Sequence, residues 1–455
     1  MSAELRAQLS LALPLALVQL GSQLLGLVDT AMLGRYSEVA LAGAGVANAL
    51  LWTITMFGMG VIMGLDSLLP RAAGSGDHRR ASALLRRGYE LGLLLGLPLT
   101  LLAAASPVFM SLFGVTAEAR GEATLYVLGR LPQLIPVLLF TASRSYLQAY
   151  SFARPLVVAM VVANLLNVVT NGVLIFGDRG LEAVGLPGIG LPELGALGAA
   201  VSTTIVSWAT AALLYLAARR REPELELSSE VSEPVETEAP TIASIVRLGW
   251  PVGVQLFAEL GIFALVGTLA GRLGTVPAAA HTLTLSLIAF AYNAIVGISA
   301  ATSVRVGLAL GRDAPEDAQR AGFLGLGLGV AFMIPVGLLY LLIPELLARL
   351  MTDRPAVIAA AVPLFYVAAM FQVGDALQAI GSGALRGAGD TRWPMWAHLS
   401  ADYLLGLAVA LYAAFYLEMG AVGLWWGLAI AMSLAGVIIV LRFARIMRTR
   451  MRAPK

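Results

Sequence analysis

Residues 246–270 read VRLGWPVGVQLFAELGIFALVGTLA, a run that carries only two charges, Arg247 at its start and Glu259 near its middle. About 20 apolar residues suffice to cross the ~30 Å of hydrocarbon in a bilayer, so this run predicts a membrane-spanning helix. An ionised carboxylate at the centre of a bilayer costs roughly 2.5–3.5 kcal/mol, and it persists only beside a cation, a proton, a polar partner or water. Asp375 sits in the same way inside the apolar stretch 357–384. Two such acids point to cations or protons handled within the membrane. Hydrogen bonding that merely braces helices is the alternative reading of the same residues.

The rest of the chain agrees with a membrane setting. Of its 455 residues 58% are hydrophobic and 13% charged, against about 25% charged in soluble proteins. Twelve runs are long enough to span, near 8–33, 40–69, 84–113, 122–148, 154–176, 195–218, 245–270, 278–310, 320–350, 357–384, 394–417 and 420–444. An all-α polytopic membrane protein follows. Residues 1–10 include Glu4 and Arg6 and run into a long apolar stretch, so no cleavable leader is expected. There are no cysteines, which removes disulfide and thiolate chemistry, and Lys455 is the only lysine among 30 basic residues. With the N-terminus inside, 23 of those 30 fall on inner segments, which predicts that both termini face the cytoplasm.

One long hydrophilic connector, 219–241, opens with Arg219, Arg220 and Arg221. It continues through Glu222, Glu224, Glu226, Glu230, Glu233, Glu236 and Glu238, with three prolines. Low hydrophobicity, like charges and proline predict a solvated cytoplasmic linker. It divides the chain into 1–218 and 242–455, each with six spans. The halves echo one another weakly. A shift of 237 carries Pro14 to Pro251, Gly60 to Gly297 and Gly74 to Gly311, while Pro155 and Pro394 open corresponding later spans. Six crossings per half make the copies parallel, an arrangement of transporters with a site between the halves.

Particular motifs then resemble those of one family, the multidrug and toxic compound extrusion (MATE) transporters. PVGVQLFAE (251–259), followed by Gly271, Ala280 and His281, is similar to that family's seventh and eighth helices. LRGAGDT (385–391) looks like its signature after the tenth helix, and VDT (28–30), GLDSL (64–68) and NVVTN (167–171) are similar to its first, second and fifth. A glutamate in the seventh helix with an aspartate in the tenth resembles the NorM-like subgroup. The resemblance implies twelve helices in two pseudo-symmetric six-helix bundles forming a V. It also implies export of cationic, amphipathic drugs or dyes in exchange for Na⁺ or H⁺, with no other cofactor, from a bacterial inner membrane. Glu259 and Asp375 would take the coupling proton, or Na⁺ as metal ligands, and Asp29, Asn167, Asn171 and Thr203 would form a polar cluster in the first bundle.

Beside the resemblance, the residues permit simpler roles. Asp29 follows some twenty apolar residues and could mark the water interface. Asn167 and Asn171, spaced i,i+4, share a helix face and could join helices. Asp402 could enter the second bundle's polar network, and His281 is expected to hydrogen-bond at the outer start of the eighth span. Asp66, Arg386 and Asp390 read as interface and loop structure. A lipid-linked precursor flippase is the nearest alternative, but it calls for several arginines inside a cavity, and nearly all arginines here map to span ends. An integral membrane enzyme needs Asp-rich metal loops or a His-Glu cluster, and the chain has three histidines and no such motif. No nucleic-acid contact and no obligate protein partner are expected; the bilayer itself is the partner.

Overall fold

The computed structural model describes residues 3–110, 117–183, 185–227 and 240–452. Among the described residues there is no strand, and twelve helical spans are long and apolar enough to cross a membrane. They are α1 (Glu4–Tyr36), α2 (Glu38–Gly74), α3 (His78–Val108), α4 (Ala117–Ala149), α5 (Ala153–Phe176) and α6 (Gly195–Glu222), then α7 (Ile242–Arg272), α8 (Thr275–Gly311), α9 (Pro315–Leu342), α10 (Pro355–Gly387), α11 (Arg392–Tyr416) and α12 (Gly420–Arg452). Each corresponds to one run read from hydropathy.

The connector differs from its expected form. The helix that contains α6 continues to Leu227, so Arg219, Arg220, Arg221 and Glu222 are helical rather than linker. Glu222 is buried and takes Arg86 at 2.7 Å and Arg219 at 3.3 Å. Such spacing, i to i+3, stabilises a helix that hydropathy alone would end. Residues 228–239, with Glu230, Glu233, Glu236 and Glu238, lie outside the described residues, as does Lys455.

Three spans are not uniform helices. α2 breaks at Met63–Gly64, and α4 passes through a 3₁₀ turn at Leu131–Gln133 that contains Pro132. α11 holds two π-helical stretches, Leu399–Gly406 and Tyr412–Tyr416. π turns occur mostly as short bulges, often at functional positions.

Contacts between Cα atoms gather the chain into two compact units. The first comprises Leu20–Leu65 and Gly76–Gly253; the second comprises Met1–Gln19, Asp66–Ser75 and Val254–Lys455. These units do not divide at the connector, because the start of each half's first span packs with the other half. The repeated glycines explain how. Within the first unit, Gly60 lies on the main chain of Gly253, and Gly64 lies against Gly249 and the carbonyl of Ile245. Within the second, Gly297 lies on Ala16, and Gly74 lies against Gly311 and Leu308. Any side chain at Gly60 or Gly297 would strike backbone, so the weak repeat marks places where helices approach without side chains between them.

Candidate functional site

The carboxylates expected to act within the membrane fall into two clusters, one inside each unit. In the first, Asp29 projects from α1 and is buried at 8% exposure. Asn171 and Asn167, one turn apart on α5, donate to its Oδ1 at 2.6 and 2.9 Å. Thr203 on α6 donates to its Oδ2 at 3.0 Å, and Asn171 also reaches Asn167 Oδ1 at 3.3 Å. Three helices are thus tied through one acid. Within this set, Asn171 Oδ1 is the one buried polar atom without a protein partner.

The second cluster is looser. Glu259 on α7 is half-buried and accepts from the Tyr292 hydroxyl of α8 at 3.0 Å. Asp375 on α10, 2% exposed, accepts from Gln378 at 3.0 Å. No hydrogen bond joins the two acids directly. Asp402 on α11 pairs with His398 at 3.2 Å, and both are buried. Several polar atoms here are buried with no protein partner: both amide atoms of Gln372, Oε1 of Gln378 and Nε2 of His398.

Further residues complete or correct the sequence reading. Tyr292 joins the acids only through tertiary packing, whereas Gln378, three residues after Asp375 on α10, and His398, four before Asp402 on α11, stand at local helical spacings. His281, near the start of α8, is buried, its Nδ1 has no protein partner, and its ring packs edge-on against Trp425 at 5.7 Å. Arg130 is not at a span end. It is buried within α4, donates to the Tyr126 hydroxyl at 2.6 Å, and stands over that ring at 5.4 Å. The signature at 385–391 is fastened from several sides. Asp390 takes Arg442 at 2.8 Å, Asp66 approaches Arg386 at 4.0 Å, and Ser67 donates to the Arg386 carbonyl at 2.6 Å.

The acids of both clusters fall in stretches that match a known family twice over. The family model named MatE matches residues 14–173 and again residues 251–412. The chain belongs to the MatE family. Among its relatives, this MatE chain is 33% identical over 443 residues to multidrug resistance protein NorM of Burkholderia vietnamiensis, covering 95% of this chain and 92% of that protein. It is 34% identical over 448 residues to the probable multidrug resistance protein NorM of Pseudomonas putida, covering 97% and 94%. Its fold is similar to that of the eukaryotic MATE transporter AtDTX14, with a TM-score of 0.82 at 23% identity over 98% of both chains. It is also similar to an outward-facing multidrug resistance MATE family transporter of the MOP superfamily, with a TM-score of 0.85 at 18% identity over 99% and 98%. At such identities the structural likeness speaks for the fold. The MatE chain is a multi-pass membrane transporter of the NorM-like kind, not an enzyme.

Proposed function

We propose that this chain is a secondary multidrug efflux antiporter that exports cationic, amphipathic drugs and dyes in exchange for Na⁺ or H⁺. The observation that carries the reading is the pair Glu259 and Asp375, one half-buried and one buried, each with a side-chain donor, inside a membrane protein. The names of its NorM relatives, multidrug resistance proteins, support the substrate class. In this reading the halves 1–218 and 242–455 are the two bundles of an alternating-access cycle. Both termini face the cytoplasm of a bacterial inner membrane, as the arginine distribution suggests.

The chemistry follows from what a carboxylate can hold. A driving ion and a drug are coupled only if both bias the same conformational equilibrium. Glu259 and Asp375 suit this because each can bind Na⁺ with neighbouring oxygens, take a proton, or pair with a drug cation. An entering ion weakens the electrostatic anchor of the drug, and the drug leaves. Tyr292 orients Glu259, and Gln378 orients Asp375. Asp29, held by Asn167, Asn171 and Thr203, offers a second oxygen-rich locus for the coupling cation.

Buried Arg130 gives some weight to a second reading, transport of lipid-linked phosphates, since a guanidinium favours phosphate. Reconstitution in liposomes separates the two. Ethidium flux driven by an imposed Na⁺ or pH gradient, and abolished by Glu259→Gln and by Asp375→Asn, supports antiport and identifies the ion. Folded protein that moves no ethidium under either gradient overturns it.

A further inference from the structure

We propose that the last turns of α12 carry a binding site for an anionic phospholipid, with its phosphate on Arg445, Arg448 and Arg452 and an acyl chain along Leu434, Val437 and Leu441. Such a site needs only the bilayer and is independent of the antiport reading.

α12 changes character along one face. Leu434, Val437, Leu441, Arg445, Arg448 and Arg452 follow one another at spacings of three or four residues, so they form a single stripe on the helix. All six are exposed. The three aliphatic residues belong to the run that hydropathy reads as crossing the bilayer, which ends near residue 444, and the arginines begin at the next position. The stripe therefore passes from hydrocarbon to head groups between Leu441 and Arg445. A groove of about 390 Å³ lies along this junction, lined by Leu441, Ala444, Arg445, Arg448, Thr449 and Arg452. Its floor is aliphatic at one end and cationic at the other.

The remaining arginines of the same turns are used differently. Arg442 pairs with Asp390 at 2.8 Å and stands over the Trp393 ring at 4.8 Å, while Arg450 donates to the Ala388 carbonyl at 3.3 Å. These two fasten α12 to the 385–391 loop, and Phe443 and Met447 are buried between them in sequence. Arg445, Arg448 and Arg452 enter no ion pair among the described residues. The Thr449 hydroxyl donates to the Arg445 carbonyl at 3.0 Å, so it is already committed to the helix. Three guanidinium groups on one face repel one another, and a phosphate, which a guanidinium can take through two N–H groups, relieves that repulsion. A soluble anion would answer the arginines alone. An anionic phospholipid answers both halves of the stripe, the acyl chain in hydrocarbon and the phosphate at its edge, and basic clusters just outside a spanning helix attract such lipids.

Native mass spectrometry of the full-length protein, released from mixed micelles of phosphatidylcholine and phosphatidylglycerol, counts each lipid that stays bound. The parent should retain phosphatidylglycerol in preference to phosphatidylcholine. Arg445→Gln/Arg448→Gln/Arg452→Gln should lose that preference, with phosphatidylglycerol weakened on the order of a hundredfold, about fivefold per arginine. Lysine at the same three positions should keep most of it, because the charge is preserved. Arg79→Gln/Arg312→Gln/Arg392→Gln removes equal charge from three other exposed arginines and should change the preference little. An equal loss in that control means diffuse attraction and overturns the site, as does a parent that treats the two lipids alike. Scanning fluorimetry supplies a second readout. Phosphatidylglycerol should raise the thermal midpoint of the parent, as any ligand of the folded state does, and leave the glutamine variant unmoved; an equal rise in both overturns the proposal. Inorganic phosphate should not displace the lipid, and full displacement would show an anion site without an acyl half, which overturns it too.

Discussion

Asp29 engages both carboxylate oxygens with two amides and a hydroxyl, whereas Glu259 and Asp375 each take a single side-chain donor and share their surroundings with unpartnered polar atoms. Yet the two units are fastened alike. Asn164 on α5 donates to the carbonyl of Gly21 on α1 at 3.1 Å, and Tyr403 on α11 donates to the carbonyl of Ala258 on α7 at 2.8 Å. The shift of 237 carries Gly21 to Ala258, and aligning Pro155 with Pro394 carries Asn164 to Tyr403. The same shift places Glu259 opposite Ser22 and Asp29 opposite Val266. Seven residues separate Ser22 from Asp29, about 10 Å of helix. The repeat retains the fastening and moves the acid. A closed cluster and a more open one can thus sit on the same frame.

If the open cluster does the exchanging, Glu259→Gln and Asp375→Asn should each reduce gradient-driven ethidium flux by about a hundredfold, near 2.7 kcal/mol. Thermal midpoints should hardly change, because each variant keeps the size of the side chain and one hydrogen bond. Wild-type-like flux in both variants would break the comparison at once. Asp29→Leu should show the opposite balance. It strands the donors of Asn167, Asn171 and Thr203, at about 1–3 kcal/mol for each group that finds no new partner. A drop in thermal midpoint larger than that of Asp375→Leu is expected by scanning fluorimetry, and the reverse order would refute the distinction between closed and open.

The matched fastenings give a finer test. Tyr403→Phe and Asn164→Leu each remove a side-chain bond to a carbonyl and should lower stability by about 0.5–1.5 kcal/mol. Only Tyr403→Phe should also reduce ethidium flux, since Tyr403 ties α11 to the residue before Glu259. The smallest effect belongs to Asp178, in the segment after α5. The backbone N–H groups of Leu191, Ile189 and Gly190 hold its carboxyl below the usual carboxylate range. A depressed value means that this fastening is complete above about pH 4 and is lost as pH falls through the folded value. Asp178→Asn should therefore leave the loop slightly more open to protease at neutral pH, and equal to the parent in acid.

Hydropathy made the twelve spans legible because crossing a bilayer demands length and apolarity, both one-dimensional quantities. It missed the helical turn beyond Arg219, where paired Arg86, Arg219 and Glu222 replace apolar burial as the reason for order. It also missed the π stretches of α11, since composition does not report which carbonyl an N–H selects. In the sites, the acids stood out by their cost in lipid, and the i,i+4 asparagines by their shared face. The alliance of Asp29 with Thr203 came from family resemblance. Tyr292 was silent, for nothing local says that α8 turns that side chain toward Glu259, whereas the spacing of Gln378 three residues after Asp375 was readable and went unread.

The glycine contacts have a mechanical meaning. Where Gly60 and Gly64 rest on Gly253 and Gly249, α2 and α7 touch through main chain, with the side chains of Phe57 and Val61 beside Gly253. Sliding along such a main-chain contact displaces few side chains, so the resistance is shallow. A joint of that kind behaves as a bearing rather than a latch, and a single methyl group set into it would act as a stop.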